Sequence, residues 1–285
     1  MRCGNLQASW CPQGTAHASE RSAQARSEPM SSQDPLLEAR LQREAQFHDA
    51  KYGGADLYPR HYAARPTQYV YAQLRACLGD LHGKRVLEYG CGEGWITRDL
   101  ARMGGQVCAF DISPQAAENT RGVLAAEGLL DRCRVEVMPA ESLVYEPESF
   151  DVAVGFAIIH HLDLVKALAE LHRVLKPGGV GYFAEPLATN PLIQLYRRMT
   201  PQFRTADERP LVLSQLPSLL SSFRSFEHRE FYLTALAAVA LTYAPGGSRL
   251  FPALSAPLHR LDQALLRANP RLGAWAWYTL LRITR

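Results

Sequence analysis

A chain of 285 residues with 47% apolar content can bury a full core, in one large α/β domain or two small ones. Its net charge is +3 and it carries no block of like charges, so composition argues against a dedicated nucleic-acid binder and leaves a small or apolar partner as the expectation. The six cysteines (Cys3, Cys11, Cys77, Cys91, Cys108, Cys133) form no CxxC pair and no cluster with histidines, which fits free thiols in a reducing cytosol and points to no metal site.

Residues 1–35 are rich in Ser, Gln, Ala and Pro and lack the apolar run of a secretory signal, so they read as a disordered leader, with Met30 as an alternative start. The stretch "LLEARLQREAQFHDAKY" places Leu37, Leu41, Ala45 and His48 at spacings of three and four and is followed by Gly53 and Gly54. It predicts an amphipathic helix, and "TQYVYAQLRACLG" predicts a second. Together residues 36–83 form an N-terminal pair of lid helices.

From residue 84 short apolar runs alternate with helical patterns: "RVLEYG" with "WITRDLARMG", "QVCAFDIS" with "PQAAENTRGVLAAEG", then "CRVEVMPA", "FDVAVGFA" with "HHLDLVKALAELHRVLKPGG", and "VGYFAEP". Strands separated by helices of this length imply right-handed crossovers and a parallel sheet covered on both faces. "KPGG" supplies a helix stop before the fifth strand. Residues 187–225 read as a helical cap insertion, and 226–285 as two closing strands ("FRSFEHREFYL" and "AWAWYTLLRIT") with apolar helices between. The run "FYLTALAAVALTYAP" is too short to span a bilayer and reads as a buried or lid helix. The expectation is a single α/β domain over 36–285: a Rossmann-like, seven-stranded, doubly wound, mostly parallel sheet, with its core at 84–186.

Ligands of open α/β sheets bind beyond the carboxyl ends of the strands where the chain order reverses. Gly90, Gly92 and Gly94 follow the first strand, and Asp111 ends the second at the distance of a ribose-binding acid. A dinucleotide fingerprint would want a third glycine at position 95, where Trp95 stands, and no GK[ST] ending marks a P-loop.

Five segments in order, "VLEYGCGEG", "CAFDIS", "MPAESL", "FDVAVGFAIIHHL" and "LHRVLKPGGVGYFAEP", resemble the five motifs of the class I S-adenosylmethionine-dependent methyltransferases across residues 84–186. The resemblance implies S-adenosyl-L-methionine as cofactor. It implies Glu88 at the methionine amino group, directly or through water, and the backbone of Gly90, Cys91 and Gly92 along the amino-acid portion. By the same resemblance Asp111 takes the ribose hydroxyls, Ile112 packs on the adenine, Ala140 and Glu141 border its edge, and Phe156 and Ala157 line the sulfonium.

Methyl transfer needs alignment of the acceptor and removal of its proton. His160 and His161 follow the fourth strand and Glu185 ends the fifth, so a histidine oriented by a carboxylate is the candidate base, with each of the three open to that role. Tyr52, Tyr58 and Tyr62 are candidate lid residues. Arg197, Arg198, Arg204 and Arg209 could meet an acidic substrate, but surface charges paired with Asp207 and Glu208 is the preferred reading.

The sequence thus predicts a cytoplasmic methyltransferase, of the secondary-metabolism kind, acting on a small, hydrophobic metabolite at oxygen or carbon. It predicts no metal and no nucleic-acid partner; homo-oligomers and peripheral membrane contact are compatible with it but are not predicted. The rival readings are a protein or RNA methyltransferase, disfavoured by "GFAI" where amino-nitrogen methylation has an "NPPY"-type tetrad, and a non-catalytic cofactor-binding protein.

Overall fold

The computed structural model describes residues 35–54, 67–244 and 246–285. The leader and Tyr58 and Tyr62 lie outside these. Seven strands form one sheet in the order β3-β2-β1-β4-β5-β7-β6. Strands β1 (Arg85–Tyr89), β2 (Gln106–Asp111), β3 (Cys133–Val137), β4 (Phe150–Phe156) and β5 (Leu175–Pro186) run parallel. Strand β7 (Tyr278–Thr284) is inserted antiparallel between β5 and β6 (Ser225–Phe231).

The apolar runs of β1, β2 and β4 suit strands buried on both faces. One face packs α5 (Leu164–Val174) and α7 (Leu216–Leu219) through Leu168, Leu171 and Leu216. The other packs α2 (Gln68–Leu78), α3 (Trp95–Arg102), α8 (Leu236–Leu241) and α9 (Gly247–Ala268) through Leu74, Leu100, Val239 and Phe251. Each fully buried aliphatic side chain contributes about 1.5–3 kcal/mol of transfer free energy. Edge strand β6 carries Glu227, His228, Arg229 and Glu230, charge that opposes pairing with a further strand.

Local chemistry sets the element boundaries around the site. Helix α4 (Pro114–Ala126) starts where the Ser113 side chain accepts the Ala116 N–H and Pro114 presets the first turn. Helix α5 is capped by Asp163 through the Lys166 N–H, and α6 (Pro191–Met199) by Asn190 through Leu192 and Ile193.

Two local readings change. "KPGG" belongs to β5, where the pairing register with β4 shifts and Gly178 adopts φ +77°. The run at 231–245 is no single helix, because Phe231 closes β6 and only Leu236–Leu241 is helical. Cys77, Cys91 and Cys133 are free thiols, as the sequence leads one to expect. No helix among the described residues is long and apolar enough to cross a membrane.

Candidate functional site

The chain order reverses between β1 and β4, and the loops beyond their carboxyl ends enclose a cavity of about 250 Å³. After Tyr89 the backbone turns through Gly90, Gly92 and Gly94 with φ of +69°, +52° and +78°. A Cβ on Gly92 would stand 2.9 Å from the Tyr52 hydroxyl, and one on Gly94 would stand 2.8 Å from Thr120 Cα. Backbone contact therefore requires glycine at Gly94, and the positive φ favours it at Gly92, where the Tyr52 side chain could shift. The Gly90 and Cys91 N–H groups donate to the Phe110 carbonyl at 2.9 and 3.0 Å, pinning the loop to the end of β2.

Asp111 Oδ2 accepts the Gly92 N–H and Oδ1 the Ser113 N–H, each at 3.0 Å. Burial pushes this carboxyl above its ordinary pKa, against the pull of those two amides. Gly90, Cys91, Gly92, Asp111, Ile112, Ala140, Glu141, Phe156 and Ala157 all line the cavity, as the sequence places them. Glu141 is also tied down, its Oε1 accepting from Arg40 at 3.2 Å and from the Asp163 N–H at 2.8 Å.

Glu88 stands one layer back from the wall. It is 1% exposed and faces Thr97 on α3, yet neither carboxyl oxygen has a partner in hydrogen-bonding geometry. Burial, reinforced by the Asp111 charge, raises its pKa to about 8. A buried carboxyl with so little hydrogen bonding is costly to ionise.

Helix α1 (Pro35–Tyr52) forms the roof. Arg40, Glu44 and His48, spaced by four, share one face that turns onto the cavity, joined by Lys51 and Tyr52 one turn later. Asp49 Oδ1 accepts from the Ser113 hydroxyl and the Gln115 N–H, and Arg43 forks onto Asp207 at 2.8 and 3.0 Å, so the helix is fastened at its middle and its last turn. Glu44 Oε2 meets His161 Nδ1 at 3.0 Å and His48 Nε2 at 3.5 Å, and Thr205 donates to Oε1. Burial opposes the Glu44 charge, but hydrogen bonds from His161, His48 and Thr205 outweigh it and lower the pKa. Burial and the neighbouring His160 hold His161 below the ordinary imidazole value.

A second cavity, of about 780 Å³, adjoins the first; Lys51, Ala157, His161 and Tyr278 line both. Its walls are mainly apolar, with Ile193, Leu236, Val239, Trp275 and Trp277 prominent. His160 borders this cavity with Nδ1 2.7 Å from Glu185 Oε2. Glu185 is fully buried, and its Oε1 accepts the N–H groups of Ile158 and Ile159 at 3.0 and 3.1 Å. Those bonds hold the turn in which Ala157 adopts φ +54°. Of the cap arginines, Arg198 and Arg209 are exposed, while Arg197 and Arg204 line the second cavity beside Glu208 at 2.9 and 3.8 Å. The solvated reading is thus corrected for Arg197 and Arg204, because the cap folds their half of the segment inward.

Two wall residues, Trp95 and Tyr278, were not assigned to the site in the sequence, and they meet Phe156, which was. Trp95, Phe156 and Tyr278 bring ring faces and edges together at the first cavity, with centroids 5.8 Å (Trp95–Phe156) and 6.1 Å (Phe156–Tyr278) apart. Trp95 occupies the position of the absent third glycine, and the i, i+4 series Arg40–Glu44–His48 is visible in the sequence. The sequence offers Glu208 only as a surface partner of the cap arginines, and the pairing with Arg197 and Arg204 forms on the cavity wall instead. Two side-chain groups, Glu44 with His48 and His161, and His160 with His161 and Glu208, bring possible metal-ligating atoms within 4.8 Å of one another. In the first group the hydrogen bonds to Glu44 already satisfy the contacts.

The first cavity fits a cation-bearing nucleoside. Its wall includes the carboxylates of Glu44, Glu93, Asp111 and Glu141 against the cations of Arg40 and Lys51, and Glu88 waits behind it. Comparison with known proteins agrees. Residues 87–183 match a family model described as a methyltransferase domain. The chain is 32% identical over 105 residues to a sterol 4-C-methyltransferase of Caenorhabditis elegans, covering 36% of this chain and 31% of that protein. It is 34% identical over 125 residues to a ubiquinone biosynthesis O-methyltransferase of Xanthomonas oryzae, covering 42% and 49%. The chain therefore spans less than half the length of these curated relatives. In fold it is similar to geranyl diphosphate C-methyltransferase from Streptomyces coelicolor, solved with Mg2+, geranyl diphosphate and S-adenosyl-L-homocysteine, with a TM-score of 0.59 at 13% identity, covering 86% of this chain and 98% of the other.

Proposed function

Residues 87–183 are a methyltransferase domain on the class I fold, and on that premise we propose that the protein transfers a methyl group from S-adenosyl-L-methionine to an oxygen of a small hydrophobic molecule. When bound, the cofactor supplies an electrophilic methyl group on a positively charged sulfur. Glu88 receives the cofactor's ammonium group, directly or through water, together with the backbone from Gly90 to Gly92. Asp111 accepts the ribose hydroxyls with the oxygen lone pairs left over from its two amide bonds. Ile112 packs on the adenine, and Ala140 and Glu141 border it. Phe156, Ala157, Trp95 and Tyr278 surround the sulfonium, where aromatic faces favour a cation.

The observation that carries the reading is His160, held by Glu185 on the wall of an apolar cavity that opens onto the cofactor cavity at Ala157 and His161. With Nδ1–H donating to Glu185, the other ring nitrogen keeps its lone pair and accepts the proton of an acceptor hydroxyl. Glu185 acts through His160, since both its oxygens are engaged and it borders neither cavity. His161 is a positioning residue that fastens the roof helix through Glu44. The relatives act on a sterol carbon and in ubiquinone biosynthesis at oxygen, according to their names, and both kinds of acceptor suit the apolar cavity. A metabolite extract incubated with methyl-labelled cofactor tests the proposal. A labelled small molecule formed by the protein and lost with His160→Ala is the expected result; label entering only protein or RNA would overturn it.

A further inference from the structure

Among the described residues, the walls of the two adjoining cavities carry opposite net charge. Among the described residues lining the first, four carboxylates face two fixed cations; among those lining the second, Lys51, Arg197 and Arg204 face the single carboxylate of Glu208. With histidines neutral, the first cavity is net negative and the second net positive. The first sign suits a cationic cofactor. The second has no such counterpart, because a neutral hydrophobic acceptor would gain nothing from two guanidinium groups folded inward.

These cations are built into the wall. The Arg197 and Arg204 side chains are only 17% and 14% exposed. Arg204 is held by hydrogen bonds from its guanidinium to the Arg197 carbonyl at 2.8 Å and to the Thr200 carbonyl. Arg197 donates to Glu208 Oε2 at 2.9 Å, and the other Glu208 oxygen lies 3.8 Å from His161 Nε2. The positive group is therefore linked through Glu208 to His161, in a cavity whose wall also includes the apolar Ile193, Leu236, Val239 and Trp277.

We propose that the Arg197–Arg204 pair, with Lys51 at the junction of the cavities, is a subsite for an anionic group of the acceptor, so that the substrate is an amphiphile with a carboxylate or phosphate close to its methyl-accepting hydroxyl and an apolar body. The guanidinium fork matches the planar oxygens of either group. Glu208 holds the arginines in place when the subsite is empty of substrate and yields part of their hydrogen bonding to the incoming anion. The charge contrast between the cavities draws the anion to the second and keeps it out of the first. The inference deepens the methyl-transfer reading and rests on it for the role of the site, but binding of the anion stands apart from it.

The test uses the full chain and three probes with the same ten-carbon body: decanoate, decyl phosphate and decanol. Calorimetry and fluorescence of Trp275 and Trp277 report binding. At least one of the two anions should bind about tenfold or more tighter than decanol, and the better of them identifies the group. The preference should collapse in the Arg197→Gln, Arg204→Gln double variant and persist in Arg197→Lys, which keeps the charge. Glu208→Gln, by removing the competing carboxylate, should tighten anion binding. Equal binding of decanol and both anions, an anion preference that survives the double variant, or weaker anion binding in Glu208→Gln would overturn the proposal. S-adenosylhomocysteine titrated into the same samples separates the two readings. Its failure to bind with the anion preference intact removes the methyl donor and leaves the subsite; its binding without any anion preference does the reverse.

Discussion

Replacement of Glu88 by Gln probes the buried carboxyl behind the proposed cofactor cavity without changing its shape. The carboxyl is 1% exposed, has only the weak approach of Thr97 to offset its burial, and has its pKa raised from an ordinary 4.5 to about 8. The folded chain therefore binds this proton more tightly than the unfolded chain does. Its contribution to stability is fully present below pH 4.5, falls as pH rises, and is lost above about pH 8. At 1.36 kcal/mol per pH unit the full effect over that window is on the order of 5 kcal/mol, and relaxation or water entry around the ionised group reduces it to about 2–3 kcal/mol. Urea denaturation of the cofactor-free protein between pH 5 and 8.5 should show wild type losing roughly this much more stability than Glu88→Gln. The two should be nearly equal at pH 5. S-adenosylhomocysteine should bind wild type more tightly as pH rises from 6 to 8, with proton release, because its ammonium group favours the carboxylate; Glu88→Gln should bind more weakly and without that slope. If Glu88→Gln follows the wild-type pH profile in both measurements, the reasoning about an unpaired buried carboxyl is wrong.

Asp111→Ala removes two acceptors of loop amides and the proposed ribose ligand, and calorimetry should show cofactor affinity reduced about 100-fold or more. Gly94→Ala meets the Thr120 backbone at 2.8 Å and a φ of +78°, and should cost about 2–3 kcal/mol in denaturation, whereas Gly122→Ala on the open, exposed side of α4 should stabilise by about 0.5–1 kcal/mol. His160→Ala should lower kcat about 100-fold or more on an identified acceptor while S-adenosylhomocysteine affinity stays within about twofold of wild type. His161, with its pKa lowered by burial, stabilises the docked roof only while neutral, so protection of residues 35–52 from hydrogen exchange should fall as pH drops below 6.5. Protection independent of pH would contradict that.

The cofactor side of this protein is local in the chain. The glycine turn, Asp111 at the end of β2 and the loop after β4 each follow a strand whose apolar run is visible on its own, and parallel strands with helical crossovers deliver their carboxyl ends to one edge of the sheet. Nine cofactor-site residues named from the sequence therefore meet on one cavity wall. The acceptor side is not local. Glu185 becomes His160's partner only because β4 and β5 pair in the register that sets Phe156 beside Ala184. Glu44 reaches His161 across 117 residues when α1 folds over the sheet, and Glu208 reaches Arg197 and His161 when the cap folds inward. Strand and helix patterns report which face of an element is buried. Which distant charges that burial brings together, and with it the sign of the acceptor cavity, was decided only by the tertiary packing.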